Sequence, residues 1–358
     1  MNRNTGMNVG QIIGTMNGLQ VMGLDIAKHV FQLHTVDMGT GEIVNMQIKR
    51  ARVLTHFVNK PACLIAIEAC GGAHHWAREL QALGHTVRLL HAKAVRPFVS
   101  GNKTDATDAR AIWLAVQQPG VKFVGIKSTQ QQATLTLHRQ RELLMKMRTM
   151  QVNALRGLLY EFGATFAKGH KALFAEVEQA FVDLSAELPQ MVVDSLREQV
   201  ARIKALSVDM VAIEKRLAVQ LKGDADMRRV AQIPGVGLLT ATAAIATMGQ
   251  ASAFKSGREF CAWLGLVPRQ TGTGGKVRLG RISKRGDTYL RTLLIHGARS
   301  VLSHAKQPGA WLEGIKSRRP ANVVIVAQAA KTARTIWAVT ARQQDYQRGH
   351  QSLRPQAV

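Results

Sequence analysis

Acidic residues are scarce in this chain. Its 358 residues carry 23 Asp and Glu against 48 Lys and Arg, a formal net charge of +25. An excess of that size calls for a polyanionic partner, and nucleic acid is the usual one. Cysteine is scarce as well: Cys63, Cys70 and Cys261 are too few for a disulfide framework, which points to a reducing cytosol. Cys70 stands near His74 and His75, but no fourth ligand follows at a suitable spacing, which argues against structural zinc. There is no apolar run of 18 residues and no basic amphipathic terminus, so a bilayer is set aside as the anionic partner. Residues 1–18 are polar and glycine-rich without an apolar signal core, and read as a flexible arm.

With so few carboxylates, their positions matter. Asn102 to Arg110 precedes the apolar Ala111, Ile112, Leu114 and Ala115, and reads as a helix opening near Thr104. Asp105 and Asp108, three apart, then fall on one face. Alone, such a pair is more often a cap or a dipole partner than a site. Two earlier stretches change the weighting. The run Val21 to Lys28 reads as a strand with Asp25 in its middle, and a carboxylate there needs either solvent at a sheet edge or a cation. The apolar run from Cys63 to Ile67 ends in Glu68 and, shortly after, Gly71-Gly72, which puts Glu68 at the carboxyl end of a strand, where open α/β sheets build sites. Neighbouring carboxylates repel by about 1 kcal/mol per pair even in water. Four that converge need protonation or divalent cations, and an all-oxygen set suits Mg²⁺ or Mn²⁺. The pattern is that of a two-metal phosphoryl-transfer site.

The order of elements supports that reading. Strands at about 20–26, 30–37 and 42–49 form a meander through a Met38–Gly41 turn. A helix at about 50–59, the Glu68 strand, a helix at about 73–83 stopped by Gly84, a strand at about 85–91 and the Thr104 helix follow. This predicts an α/β domain over 19–124, a mixed sheet with helices on it, which resembles the RNase H-like fold in its RuvC-like form.

Residues 125–225 turn helical. Leu137, Leu144, Met147, Leu155, Leu158 and Phe162 form one stripe, and Leu196, Ile203, Leu206, Met210, Ile213, Leu217 and Leu221 a more regular one. They predict an antiparallel helical hairpin or coiled-coil arm, broken near Gly163 to Gly169, and a candidate for dimerisation. Arg139, Arg141, Lys146, Arg148 and Arg156 on the other face meet either a nucleic-acid backbone or solvent. Residues 226–341 read as a third, mostly helical segment, and 342–358 as a basic tail expected to be disordered.

Two motifs in that third segment suit phosphate. Ile233-Pro234-Gly235-Val236-Gly237 resembles the turn of a helix-hairpin-helix, whose backbone N–H groups and helix N-terminus can meet a phosphate; a tight turn without a ligand fits equally well. Gly265 to Asp287 is a glycine-rich basic loop ahead of a helix, in which Arg269, Lys276, Arg278, Arg281, Lys284 and Arg285 supply phosphate-neutralising charge.

Together Asp25, Glu68 and Asp105/Asp108, the helical middle, and the C-terminal Gly-Leu-Val-Pro, Gly-Gly-Lys and Ile-Ser-Lys-Arg-Gly-Asp-x-Tyr-Leu-Arg resemble the DEDD-type insertion-sequence transposases, described as bridge-RNA-guided recombinases. The resemblance spans about residues 19–340 and implies a RuvC-like domain binding Mg²⁺ through Asp25, Glu68, Asp105 and Asp108. It also implies a C-terminal transposase domain with a hydroxyl nucleophile, and double-stranded donor and target DNA paired with a non-coding bridge RNA. Dimers or tetramers with composite sites, in a nucleoid-associated bacterial cytoplasm, belong to the same expectation. Where the family typically has Ser before Gly, this chain has Thr273 before Gly274. Thr273 is therefore the expected nucleophile, with Thr271 the nearest rival and Ser283 a distant one. A metal-dependent structure-specific endonuclease, and a non-catalytic nucleic-acid-binding protein, are the alternatives.

Overall fold

A computed structural model describes residues 15–350 apart from Asn17, Met38 and Lys103. Most of the N-terminal arm and the end of the C-terminal tail lie outside the described residues. The chain divides into two compact units, residues 1–130 and 131–358.

The first unit is built on a mixed sheet. Its strands are β1 (Thr15–Met16), β2 (Leu19–Asp25), β3 (Val30–Val36), β4 (Ile43–Lys49), β5 (Leu64–Glu68), β6 (Thr86–Leu90) and β7 (Phe123–Val124). Six of them lie in the order β4-β3-β2-β5-β6-β7, and the short β1 pairs with β2. The β2–β3–β4 meander is antiparallel, while β2, β5 and β6 are parallel neighbours. The helices are α1 (Val53–Val58), α2 (Ala73–Ala82), α3 (Ala92–Val95) and α4 (Asp105–Val116). Strand alternation sorts the core into two faces. Met22, Leu24, Ile65, Ile67, Val87 and Leu89 pack with Phe57 of α1 and Trp76 and Leu80 of α2. Val21, Leu64, Ala66 and Leu90 face the other way, onto Ala111, Ile112, Trp113 and Val116 of α4. The result is a helix–sheet–helix sandwich of the expected kind, consistent with an RNase H-like domain.

The second unit is largely helical: α5 (Thr129–Tyr160, starting at the unit boundary), α6 (His170–Leu184), α7 (Gln190–Gly223), α8 (Ala225–Ala231), α9 (Leu238–Met248), α10 (Gly257–Trp263), α11 (Thr288–His304), α12 (Ala310–Lys316) and α13 (Ala321–Arg342). One antiparallel ribbon, β8 (Pro268–Thr273) with β9 (Lys276–Ile282), interrupts them. Helices α5 and α7 run antiparallel, linked by Thr134 with Gln220 at 2.5 Å and Arg141 with Glu214 at 2.6 Å. The α7 stripe is the core seam: Leu196, Ile203, Met210, Ile213 and Leu217 are buried. The α5 stripe differs from expectation, since Met147, Leu158 and Phe162 are 43–48% exposed and only Leu155 of the six is fully buried. Part of its place is taken by α6, which the sequence reading did not separate. Leu173, Val177, Phe181 and Leu184 of α6 fill a core with Val152, Leu155 and Leu159 of α5 and Val193 and Val200 of α7. Two of the basic residues on α5 serve the fold: Arg141 pairs with Glu214, and Arg156 donates to the carbonyls of Ala167 (2.6 Å) and Gly169 (2.8 Å), closing the bend after α5.

A separate core joins α8, α9, α10, α11 and α13. Beyond α13, Tyr346 packs against that core and Asp345 lies 3.5 Å from Arg229. Among the described residues no helix is long and apolar enough to cross a membrane.

Candidate active site

Asp25 and Glu68 stand at corresponding positions. Leu24 pairs with Ile67 in the parallel β2–β5 register, and each acid is the next residue, the last of its strand. Asp25 is thus not in the middle of a strand, as the sequence suggested, but at its carboxyl end in the centre of the sheet. Adjacent parallel strands lie about 4.8 Å apart. Both side chains follow the alternation of Val21, Gly23, Leu64 and Ala66, which is the face covered by α4.

The two acids of α4 stand on the helix that packs on this face. Thr104 caps the helix, its hydroxyl accepting from Thr107 N while the Thr107 side chain accepts from Thr104 N, so Asp105 and Asp108 occupy the first turn. The helix crosses β2 at Gly23, where a Cβ would collide with the Ala109 carbonyl and lie 2.8 Å from Trp113 N and Cβ. One turn on, the Trp113 indole donates to Val21 O at 3.0 Å. The Ala109–Trp113 turn of α4 therefore packs directly on β2, two to four residues before Asp25. Asp105 and Asp108 precede that packed turn by about one helical turn or less.

Cys70 reports the local charge: burial first, then Glu68 and Asp25, push its thiol upward. Among the described residues no three His, Cys, Asp or Glu side chains are close enough to hold an ion as they stand. In donor chemistry the set fits a hard divalent cation: four carboxylates, two on neighbouring strand ends and two on the first turn of the helix packed on that sheet. Asp105 is exposed and Asp25, Glu68 and Asp108 are half-buried, so water and substrate reach them.

In the second unit the basic segment is a hairpin rather than the expected loop. Gly274 (φ 56°) and Gly275 (φ 77°) supply the two positive-φ positions of a tight two-residue turn. All of β8, and all of β9 except Ile282, is exposed. Thr273 pairs with Lys276 and Thr271 with Arg278, so both threonines share a face of the ribbon with both cations. Val277 and Leu279 take the other face, and a bulge between Leu279 and Ile282 sets Gly280 and Arg281 opposite Arg269. Arg269 and Ser283 stand at the hairpin base, where an Arg269 N–H donates to Ser283 O at 3.5 Å.

That base is tightly built. Gly265 (φ 75°) and Gly286 (φ 80°) leave no room for a Cβ against the backbones of Arg285 and Trp263. Lys284 holds a left-handed φ of 53° and donates its N–H to Gly265 O at 3.0 Å. Arg291, 7% exposed, donates to Leu264 O (3.0 Å) and Arg285 O (3.1 Å) and so ties the hairpin base to α11. The Lys-Arg-Gly-Asp-x-Tyr-Leu-Arg stretch is thus in part a brace: Asp287 caps α11 through Leu290 N at 2.7 Å, and Arg291 anchors it.

The Pro-Gly-x-Gly turn divides into two roles. Gly235 (φ 81°) meets α11 at Gly297, where a Cβ would lie 2.7 Å from the Gly297 carbonyl, so close helix contact accounts for this glycine. Gly237, at the start of α9, has open space around it.

Local sequence signals do not single out Gly23, Trp113 or His138, and they give Arg291 no role beyond its place in the motif. His138 of α5 is 1% exposed and bridges Tyr289 Oη (2.9 Å) and Thr242 Oγ1 (3.0 Å). Thr242 spends its own proton on Leu238 O at 2.8 Å, so His138 Nε2–H donates to Thr242 and Tyr289 donates to Nδ1. Burial, then Arg141, lowers His138 to about 4, and burial raises Tyr289 to about 12, so both stay neutral.

Comparison with known proteins agrees with both units. Residues 22–163 match the DEDD transposase family of IS110 type, and residues 227–311 match the "Transposase IS116/IS110/IS902 family". A Pseudomonas aeruginosa protein described as a "Probable family 20 transposase" is 46% identical over 336 residues, 92% of this chain and 99% of that relative. The transposase for insertion sequence element IS1111A of Coxiella burnetii is 37% identical across 94% of this chain and 93% of its own length. That for element IS1328 of Yersinia enterocolitica is 36% identical across 91% and 98%. The chain belongs to the IS110/IS116/IS902 transposase family, with an N-terminal DEDD domain and a C-terminal transposase domain. It is an insertion-sequence transposase, a class that binds, cleaves and transfers DNA.

Proposed function

We propose that the protein cuts and rejoins donor and target DNA under the guidance of a non-coding bridge RNA. The observation that supports the chemistry is that Asp25 and Glu68 end the neighbouring parallel strands β2 and β5, with Asp105 and Asp108 opening the helix packed on that sheet, within the stretch that matches the DEDD transposase family. Residues 19–124 act as a RuvC-like catalytic domain, 125–225 as a coiled-coil arm, and 226–341 as the transposase domain with its helix-hairpin-helix-like turn. Asp25, Glu68, Asp105 and Asp108 would hold Mg²⁺ or Mn²⁺. When bound, such ions neutralise charge on the attacking and leaving oxygens of a phosphodiester displacement.

The hydroxyl of Thr273 is the nucleophile: its oxygen bonds to phosphorus, its proton leaves to a carboxylate or water, and the bond to a deoxyribose oxygen breaks, freeing a DNA hydroxyl. That hydroxyl, or one from the other duplex, reverses the step and rejoins the strand. Lys276 and Arg278, on the same ribbon face, neutralise the phosphate, and Arg269, Arg281, Lys284, Arg285 and the backbone at Gly235 and Gly237 hold flanking phosphates. Sequence choice rests with RNA–DNA pairing. Protomers work as dimers or tetramers, with carboxylates and Thr273 contributed by different copies.

A hydrolytic endonuclease is the second reading, favoured by the fact that all four acids lie in the first unit, independent of the hairpin. The test is to incubate the protein, its element RNA and labelled donor and target DNA with Mg²⁺. Joined product that requires both RNA and metal supports the recombinase; free ends without joining support the endonuclease.

A further inference from the structure

One surface of the second unit takes no part in the sites described so far. Between His304 and Gln344 the chain carries seven Lys and Arg against a single acid, Glu313. Among the described residues Lys306, Lys316, Arg318, Arg319, Lys331 and Arg334 have no carboxylate within ion-pair distance. Charge left unpaired over two adjoining helices is suited to an external anion.

An aromatic side chain stands within that charge. Trp311, in the first turn of α12, is 41% exposed, although Leu312 beside it is buried and fixes the helix in place. Lys331 of α13 sits over the indole, its ammonium 4.4 Å from the ring centroid. The helices are therefore side by side, with the start of α12 against the middle of α13 and the end of α12 turning through Lys316–Pro320 into α13. Burial, then Arg334 one turn away, depresses the Lys331 ammonium. Arg318 donates to Gly314 O at 2.7 Å and belongs to the turn itself, leaving Lys316 and Arg319 exposed at its tip.

An exposed ring with a cation against it and further cations on the adjoining turn and helix suits unpaired bases: the base stacks on the exposed part of the ring and the adjoining phosphates meet the cations. A duplex offers no free base face for Trp311. We propose that α12, the turn after it and the facing side of α13 form a single-stranded polynucleotide site, with Trp311 as the stacking platform and Lys316, Arg319, Lys331 and Arg334 along the backbone. Unpaired RNA and displaced DNA share this chemistry.

The full-length protein is titrated, in EDTA so that no strand chemistry intervenes, with fluorescent 20-mers of oligo-uridine and oligo-thymidine and with a duplex of equal length. Trp311→Ala is expected to weaken binding of the single strands about tenfold or more, to leave the duplex within about twofold, and to be largely rescued by Trp311→Phe. Lys316→Ser with Arg319→Ser is expected to lower the slope of log K against log salt by about 1.4, two phosphates' worth for a single strand. Ultraviolet crosslinking of a 5-bromouridine 20-mer, mapped by mass spectrometry, is expected to mark Trp311. A stronger effect on the RNA or on the DNA strand names the source. Unchanged single-strand affinity in a folded Trp311→Ala protein, with crosslinks confined to other segments, overturns the site.

Discussion

Gly23 and Ala109 meet backbone to backbone: a methyl group on residue 23 would overlap the Ala109 carbonyl and crowd Trp113 at 2.8 Å. This contact sets how closely α4 approaches the sheet two residues before Asp25 and one residue after Asp108. Substituting Gly23 by Ala overpacks the contact, at a cost of about 1–3 kcal/mol. The expected outcome is a lower unfolding temperature and a loss of strand cleavage larger than the lost folded fraction explains, because the acids of α4 are moved off those of the sheet. Wild-type cleavage from a destabilised Gly23→Ala protein contradicts that link.

The four carboxylates predict a metal dependence that can be read without DNA. Mg²⁺ or Mn²⁺ is expected to raise the unfolding temperature of the wild-type protein, by mass action on the folded state. In Asp25→Asn, Glu68→Gln or Asp105→Asn the rise is expected to shrink or vanish, and cleavage to fall by about a hundredfold or more, equivalent to roughly 3 kcal/mol. Equal thermal response in all three variants refutes a shared site.

His138 predicts a pH effect of definite sign. Its folded pKa of about 4 lies below the ordinary 6.5, so the unfolded chain takes up a proton first as the medium is acidified. Stability from this residue is complete above about pH 6.5 and is lost as pH falls toward 4, by on the order of 3 kcal/mol in all. Denaturant unfolding at pH 7 and pH 4.5 is expected to show a smaller difference in His138→Gln than in the wild type. An unchanged difference removes His138 as the source.

Much of the N-terminal site was legible in the sequence because its signals are local. Asp105 and Asp108 follow a Thr cap, and Glu68 ends an apolar run before Gly71-Gly72, so capping chemistry and strand length place them. Asp25 was harder: the apolar Ile26-Ala27 beyond it extended the run and hid the strand end. Gly23 carries no local mark of its role, since only the crossing of α4 makes a side chain there impossible. The hairpin of β8 and β9 escapes a periodicity reading because its charges and glycines hide alternation, although Gly274-Gly275 suits a two-residue hairpin turn. His138, Arg291 and the burial of α6 depend on partners far along the chain, and periodicity alone does not supply those.

Thr273, at the tip of that hairpin, is proposed to join itself to DNA. Protein incubated with Mg²⁺, element RNA and labelled donor and target DNA is resolved on a denaturing gel, and any protein-linked DNA is digested and mapped by mass spectrometry. The account predicts an adduct on Thr273 that requires RNA and metal, persists in Thr273→Ser and disappears in Thr273→Ala. Joined strands formed at the normal rate by Thr273→Ala, or an adduct mapped to Thr271 or Ser283, would contradict it.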